Sequence, residues 1–491
     1  MHTTRLHITL IALLFSLLRL TATPKLTVVV LIDGLSESSL NLMQPYWAMG
    51  GLRTLSEEAY QGTVLFPGIS YGGAENIATL MTGEIPAVHG ITMGHYFSRN
   101  DRSLHSALED KSEAGIGTME QVSPRALTSL TIADRFRLKE GKKARIYAIG
   151  HDAETAILMA GHTADACCWL NPQSEQWVTS SFYANGLPAV ADEINVSGRI
   201  SELSAQSWTP RMAVNMYNCP TEQELKHGFK YTQSNVLLHS PAVNTLTAEL
   251  ALELQRKEEL GKQQHSDLLL LQLTSLTPAA TSDHIATAEQ EDQYMCLNQT
   301  LGWMLEQLQR RLGKGNVQFF VIGIPRLGTA KQQLGEIGIP IRQFNVERAA
   351  ALTSAYLMAL YGQERWVDGG YGQSIFLNRN LIEQKRMSLE TLQRQVANFL
   401  IDFEGVQTAY PMQEAWLDRQ LAPVLSKKAA GDVVFLLQQG WQLTYGEQVL
   451  DPLVDLHPAA PILIWPSTDN LPTATLNAEQ VANLLETIDN R

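Results

Sequence analysis

Leu26 to Leu35 reads Leu-Thr-Val-Val-Val-Leu-Ile-Asp-Gly-Leu. An apolar run with no polar alternation fits a strand buried on both faces, as in the middle of a parallel sheet. Two more such runs follow, Asp267 to Thr274 and Val317 to Gly323. Long amphipathic helices are expected between and after them, at Asn244 to Glu259 and Glu289 to Leu312. Strands alternating with helices predict an α/β fold with a mostly parallel central sheet between helical layers. Asp33 then stands just past a strand's carboxyl end, where ligands gather in such folds. An acid there is either a ligand or the cap of the next helix.

Other elements fill the frame. Ser36 to Tyr60 and Leu127 to Glu140 read as helices, and Asp432 to Leu437 with Gln442 to Tyr445 as a strand pair. Residues 160–235 have weak periodicity and read as an inserted cap on one domain spanning 23–491. Met1 to Arg5 is a basic start and Ile8 to Leu18 an apolar stretch too short to span a membrane comfortably, so residues 1–22 read as an export signal. No later stretch of the mature chain reads as a transmembrane segment. The formal charge of −13 argues against nucleic acid as a partner. Cys167, Cys168, Cys219 and Cys296 have no zinc-site spacing. A bridge from Cys167 or Cys168 to Cys219 stays open.

Several motifs carry a resemblance: Pro24 to Gly34, Met81-Thr82-Gly83 with Pro86 to Ile91, Ala160 to Ala166, Gly313-Lys314-Gly315-Asn316, Asn244 to Thr247, Gly431-Asp432-Val433 and Ala460 to Leu463. They closely resemble the exported alkaline phosphatases of the phosphate-irrepressible, PafA-like kind, which belong to the alkaline phosphatase superfamily near the type I phosphodiesterases. The resemblance implies an alkaline-phosphatase-like fold with a cap. It also implies two zinc ions held by Asp and His, a Thr or Ser nucleophile, and a Lys, an Arg and an Asn that bind phosphate.

Carried over by position, these roles are mostly unmet. The first metal carboxylate falls on Asp33. The nucleophile falls on Ser70 if placed by the preceding proline, or on Gly73 if no gap is allowed. The phosphate-binding Asn falls on Gly94, and the Lys and Arg on Asp152 and Glu154. The remaining metal positions fall on Thr277, Thr281, Ile324, Pro325 and Leu450. Asp283-His284 and His457 lie out of register. A catalytic zinc needs about three protein ligands, and Asp33 is the one retained. Carboxylates in place of the cations would repel a phosphate dianion by roughly 4 kcal/mol per unit-charge pair at 4 Å and intermediate dielectric.

The expectation is therefore an exported, non-catalytic binding or scaffold protein of the cell envelope. Its partner is an envelope protein or ligand of unstated identity. No cofactor is expected, and zinc only if the family's activity is retained. Asp33 is read as a remnant that caps a helix or holds a structural contact. One other reading is a rebuilt phosphate-ester hydrolase, with Ser70 as nucleophile and Asp33, Asp152 and Glu154 holding Mg²⁺ or Ca²⁺. Another is a glycan-binding surface made by Trp169, Trp177, Tyr183 and Trp208. His89 and His162 are expected to hydrogen-bond backbone.

Overall fold

The structure is a computed structural model. It describes residues 24–66, 73–183, 186–229, 231–232, 236–278, 285–325, 338, 340–419, 421–426, 429–438, 440–450, 459–467 and 475–487. Ten strands form the central sheet: β1 (Leu26–Asp33), β2 (Tyr60–Leu65), β3 (Gly115–Ile116), β4 (Ile146–Gly150), β5 (Ala166–Asn171), β6 (Gln176–Ser180), β7 (Asp267–Thr274), β8 (Val317–Ile324), β9 (Ala459–Trp465) and β10 (Thr475–Asn477). Their order is β10-β2-β9-β8-β1-β7-β4-β5-β6-β3. The central five strands, β8-β1-β7-β4-β5, are parallel; β9 and β6 flank them antiparallel, and β2 and β10 beyond β9 pair parallel with each other.

β1 explains its own composition. Val28, Val30 and Ile32 enter the core on one face of the sheet, and Val29 and Leu31 the core on the other. Both faces are dry, so neither half of the alternation is polar. Five helices matter for the site: α1 (Glu37–Met43), α2 (Ala74–Thr82), α3 (Ala153–Ala160), α4 (Pro241–Lys257) and α5 (Ala288–Leu312). α4 and α5 cover one face, and α2 and α3 the other.

A second core lies outside the sheet. Four antiparallel strands, in the order Val367–Tyr371, Ser374–Leu377, Val433–Leu437 and Val406–Pro411, carry it with helices Val346–Tyr361 and Leu389–Ile401. Buried Asp432 latches this unit. It accepts from Arg99 Nη1, Arg379 Nε and the Leu377 amide, each at 2.7 Å.

Several expectations are corrected. Within the stretch expected as a cap, β5 and β6 belong to the central sheet. Helices Ala189–Ser197 and Arg199–Ser204 bury Val190, Ala191, Ile200 and Leu203 in the core beneath α4. The helix expected over Ser36 to Tyr60 is broken between Gln44 and Gly50, where Pro45 cannot donate to a helical ladder. The helix expected from Leu127 begins only at Ile132, because Thr131 and Asp134 form a capping box there. Val433–Leu437 and Trp441–Tyr445 do not pair with each other but join different sheets. All four cysteines are free; Cys167 and Cys168 are buried in β5, which leaves no bridge to Cys219.

Candidate functional site

The site lies at the carboxyl ends of β1, β7 and β4. Register puts Asp33 level with Thr274 and Ile324 on its two neighbouring strands. Gly34 then turns the chain at φ +74, and a Cβ there would stand 2.4 Å from Leu276 Cδ2, so glycine is required. Asp33 does not cap the next helix. Ser36 does, accepting from the Ser39 amide at the start of α1. The buried Asp33 carboxylate instead accepts a hydrogen bond from Gln272 Nε2 at 2.8 Å.

Gln272 organises the site. The same Nε2 donates to Asp152 Oδ2 at 3.1 Å, and Oε1 accepts from the His151 amide at 2.6 Å. One buried amide thus ties three parallel strands at their ends. Asp152 is not a free loop residue: it caps α3, accepting from Thr155 N at 2.8 Å and Thr155 Oγ1 at 3.0 Å. Asn244 on α4 fixes the end of β7 by gripping Thr274 N and O, both at 2.8 Å. These groups border a pocket of about 270 Å³ lined by Asp33, His151, Asp152, Leu238, His239, Gln272, Thr274 and Leu276. Burial pushes the His151 imidazole down to about 4, against the opposing pull of the Asp33 charge, so the ring is neutral near neutral pH.

Glu154 lies in the first turn of α3, beside the other proposed phosphate positions. A Cβ on Gly94 would meet Glu154 Oε2 at 2.5 Å, and one on Gly73 would lie 3.9 Å from Glu154 Oε1. Gly73 immediately precedes α2. The carboxylate therefore reaches the space that side chains at 94 and 73 would need. Asp152 and Glu154 are helix-start residues of one helix, one on the Asp33 pocket and the other on Gly94.

The remaining positions supply little for a metal. Ile324 and Pro325 are buried without a side-chain donor atom, and the Ile324 carbonyl accepts from the Gly34 amide at 3.0 Å. Thr277 is buried and offers a neutral hydroxyl. Leu450 packs in the second core, outside the Asp33 pocket. Ser70, Thr281, Asp283, His284 and His457 lie outside the described residues. Among the described residues no group of three or more His, Cys, Asp or Glu side chains is arranged to hold a metal ion. Zinc prefers imidazole, thiolate and carboxylate donors in threes and fours; the described residues here do not fit a pair of them.

The aromatic residues do not form a binding row. Trp169, Trp177 and Trp208 are buried, with Trp169 Nε1 on Glu120 and Trp208 Nε1 on Asp292. Tyr183 Oη donates to the Gly161 carbonyl at 2.8 Å. These rings fill cores rather than present faces. His89 meets its expectation: Nδ1 accepts from the Ile91 amide, and Nε2 lies 3.0 Å from Thr79 Oγ1. His162 bonds backbone too, at Leu127 and Pro124, and its Nδ1 also pairs with the Asp134 carboxylate at 2.9 Å.

Gln272, His151 and Asn244 were not legible as site residues. The available signal was Gln272 itself, a lone polar side chain inside an otherwise apolar buried strand, where a polar group needs a partner.

Comparison with known proteins agrees with the fold. The family described as type I phosphodiesterase / nucleotide pyrophosphatase matches residues 27–454. The alkaline phosphatase PafA of Elizabethkingia meningoseptica is 21% identical over 455 residues, covering 87% of this chain and 83% of that protein. The alkaline phosphatase PhoV of Synechococcus elongatus is 22% identical, covering 86% and 82%. The crystal structure of wild-type PafA superposes with a TM-score of 0.80 at 18% identity, over 95% of this chain and 96% of the other. The fold is therefore the alkaline-phosphatase fold, and the chain belongs to the type I phosphodiesterase / nucleotide pyrophosphatase family as a PafA-like member of the alkaline phosphatase superfamily.

Proposed function

We propose that this chain has kept the phosphatase fold and given up phosphate-ester hydrolysis, and that it works by binding. The observation that carries the reading is the Gln272 amide between Asp33 and Asp152. Two carboxylates that could face a cation face N–H protons instead. A neutral amide there satisfies both without a metal. The side chains at 94, 152, 154, 277, 324, 325 and 450 support the same reading, because they replace expected donors and cations with glycine, acids, a hydroxyl and hydrocarbon. The protein is further proposed to be exported through residues 1–22 and to act in the cell envelope on a protein or small ligand. Among the described residues, no helix is long and apolar enough to cross a membrane.

The test is metal analysis of the purified protein with an assay on p-nitrophenyl phosphate. No stoichiometric zinc and no turnover are expected. Metal-dependent turnover that disappears in Asp33→Ala would sink the reading. The convergence of Asp33 and Asp152 on one atom favours, as the second reading, a hydrolase rebuilt on Mg²⁺ or Ca²⁺ with Ser70 as nucleophile. Turnover with either ion, lost in Ser70→Ala, would establish it.

A further inference from the structure

A hairpin, His95–Ser98 paired with Ser103–Ser106, straps the site to the second core. At its base the Ala107 amide donates to the Gly94 carbonyl at 2.8 Å, beside the Glu154 carboxylate. Farther along, the hairpin grips the second core. Phe97 enters that core, with its ring centroid 4.7 Å from that of Phe376, and Arg99 donates to Asp432. Arg102 donates to Asp368 at 2.8 Å. Arg102 stands at φ +57, in the left-handed region that a residue with a side chain adopts only at a cost. Something must hold the turn in that conformation.

His105 is placed to do so. Its Nε2 lies 2.7 Å from Asp101 Oδ2 and 3.0 Å from Ser103 Oγ, and its Nδ1 meets Glu109 Oε2. Lys111 stands 3.3 Å from Glu109, and Tyr96 stacks on the imidazole from the opposite strand. In the second core, Asp368 and Asp432 face the hairpin but are engaged by Arg102 and Arg99. Carboxylates thus face both ring nitrogens. A neutral imidazole has one N–H and an imidazolium has two. Only the imidazolium gives each carboxylate a proton; in the neutral ring one carboxylate faces a lone pair. We infer that His105 is a proton-operated clasp: charged, it closes the hairpin turn, and on losing its proton it releases one carboxylate and frees the turn that holds the second core. The carboxylates of Glu109 and Asp101 raise the ring's value from 6.5. A raised folded value means that the clasp is closed below pH 6.5 and opens as pH rises through the raised value.

The test follows the ring and the turn together in the full chain. Nuclear magnetic resonance of carbon-labelled histidine reads the ring's charge, with the His105 signal identified by its loss in His105→Gln. Trypsin nicking after Arg99 and Arg102 reads the turn, normalised to the rate on a free peptide of residues 95–106 at the same pH. A titration midpoint above 6.5 is expected, with nicking about tenfold or more faster at pH 9 than at pH 7. His105→Gln should be nicked fast at both pH values, and His105→Arg, which keeps a cation with several donors, slowly at both. A purely structural role for the ring would not produce that split between the two variants. A wild-type midpoint at or below 6.5, equal nicking of the wild type at pH 7 and pH 9, or the wild-type pH dependence in His105→Gln would overturn the clasp. The first two readings are made on the wild type and decide the matter even where a variant does not fold.

Discussion

Gln272 Nε2 lies 2.8 Å from Asp33 Oδ2, between neighbouring parallel strands at the end of the sheet where ligands collect in α/β folds. The amide reaches Asp152 as well. Replacing Gln272 by Leu should remove both hydrogen bonds to charged groups and leave His151 N without its acceptor. A loss of about 3 kcal/mol in unfolding free energy is expected, given about 1.5–3 kcal/mol per bond to a charged group and partial relaxation. Chemical denaturation checks it.

Gln272→Glu makes a sharper prediction. It would put a third carboxylate beside Asp33 and Asp152, so mutual repulsion should lower the melting temperature. Three oxygen ligands suit a hard cation. Millimolar Ca²⁺ should therefore restore much of the melting temperature in the variant and leave the wild type unchanged.

Gly94 and Glu154 form a coupled pair. A Cβ on residue 94 would stand 2.5 Å from Glu154 Oε2. Gly94→Asn should cost about 1–3 kcal/mol as an overpacked site. Adding Glu154→Ala should return a large part of that cost, a non-additivity that a double-mutant cycle measures.

Two buried histidines set an acid limit. Burial lowers His89 to about 3 and His151 to about 4, both from 6.5. A lowered folded value means that the unfolded chain binds the proton first. Their contribution is then full above about pH 6.5 and is lost as pH falls toward 4 and 3. His162 has the opposite sign: its hydrogen bond to Asp134 raises its value, so its contribution is present at low pH and fades as pH rises through the raised value. His89→Asn keeps an acceptor near the Ile91 amide and should flatten the acid limb of stability between pH 6.5 and 4. Denaturation midpoints across that window check it.

Much of the frame was legible because hydrophobic patterning reports burial directly. β7 matches its expected bounds, and β1 and β8 match within about two residues, since each is a continuous apolar run between sharp breaks. Two strands inside the stretch expected as a cap were not legible, for the opposite reason. β5 and β6 carry Cys167, Cys168, Trp169 and Trp177, bulky but not uniformly aliphatic, and their place at the sheet is fixed by long-range pairing with β4. The strand pair after Asp432 failed because strand partners are tertiary choices that local sequence does not encode. At the site, Asp33 stood out because it ends an apolar run. Its actual partner, Gln272, lies 239 residues away in sequence, and the link between them exists only after the sheet assembles.

The most direct test of the central claim is zinc content and p-nitrophenyl phosphate turnover measured on one preparation of the full chain. The account predicts no stoichiometric zinc and no turnover above the buffer rate, with Asp33→Asn indistinguishable from the wild type in both. About two zinc ions per chain, as two-metal phosphoryl-transfer sites require, together with turnover that Asp33→Asn abolishes, would contradict it.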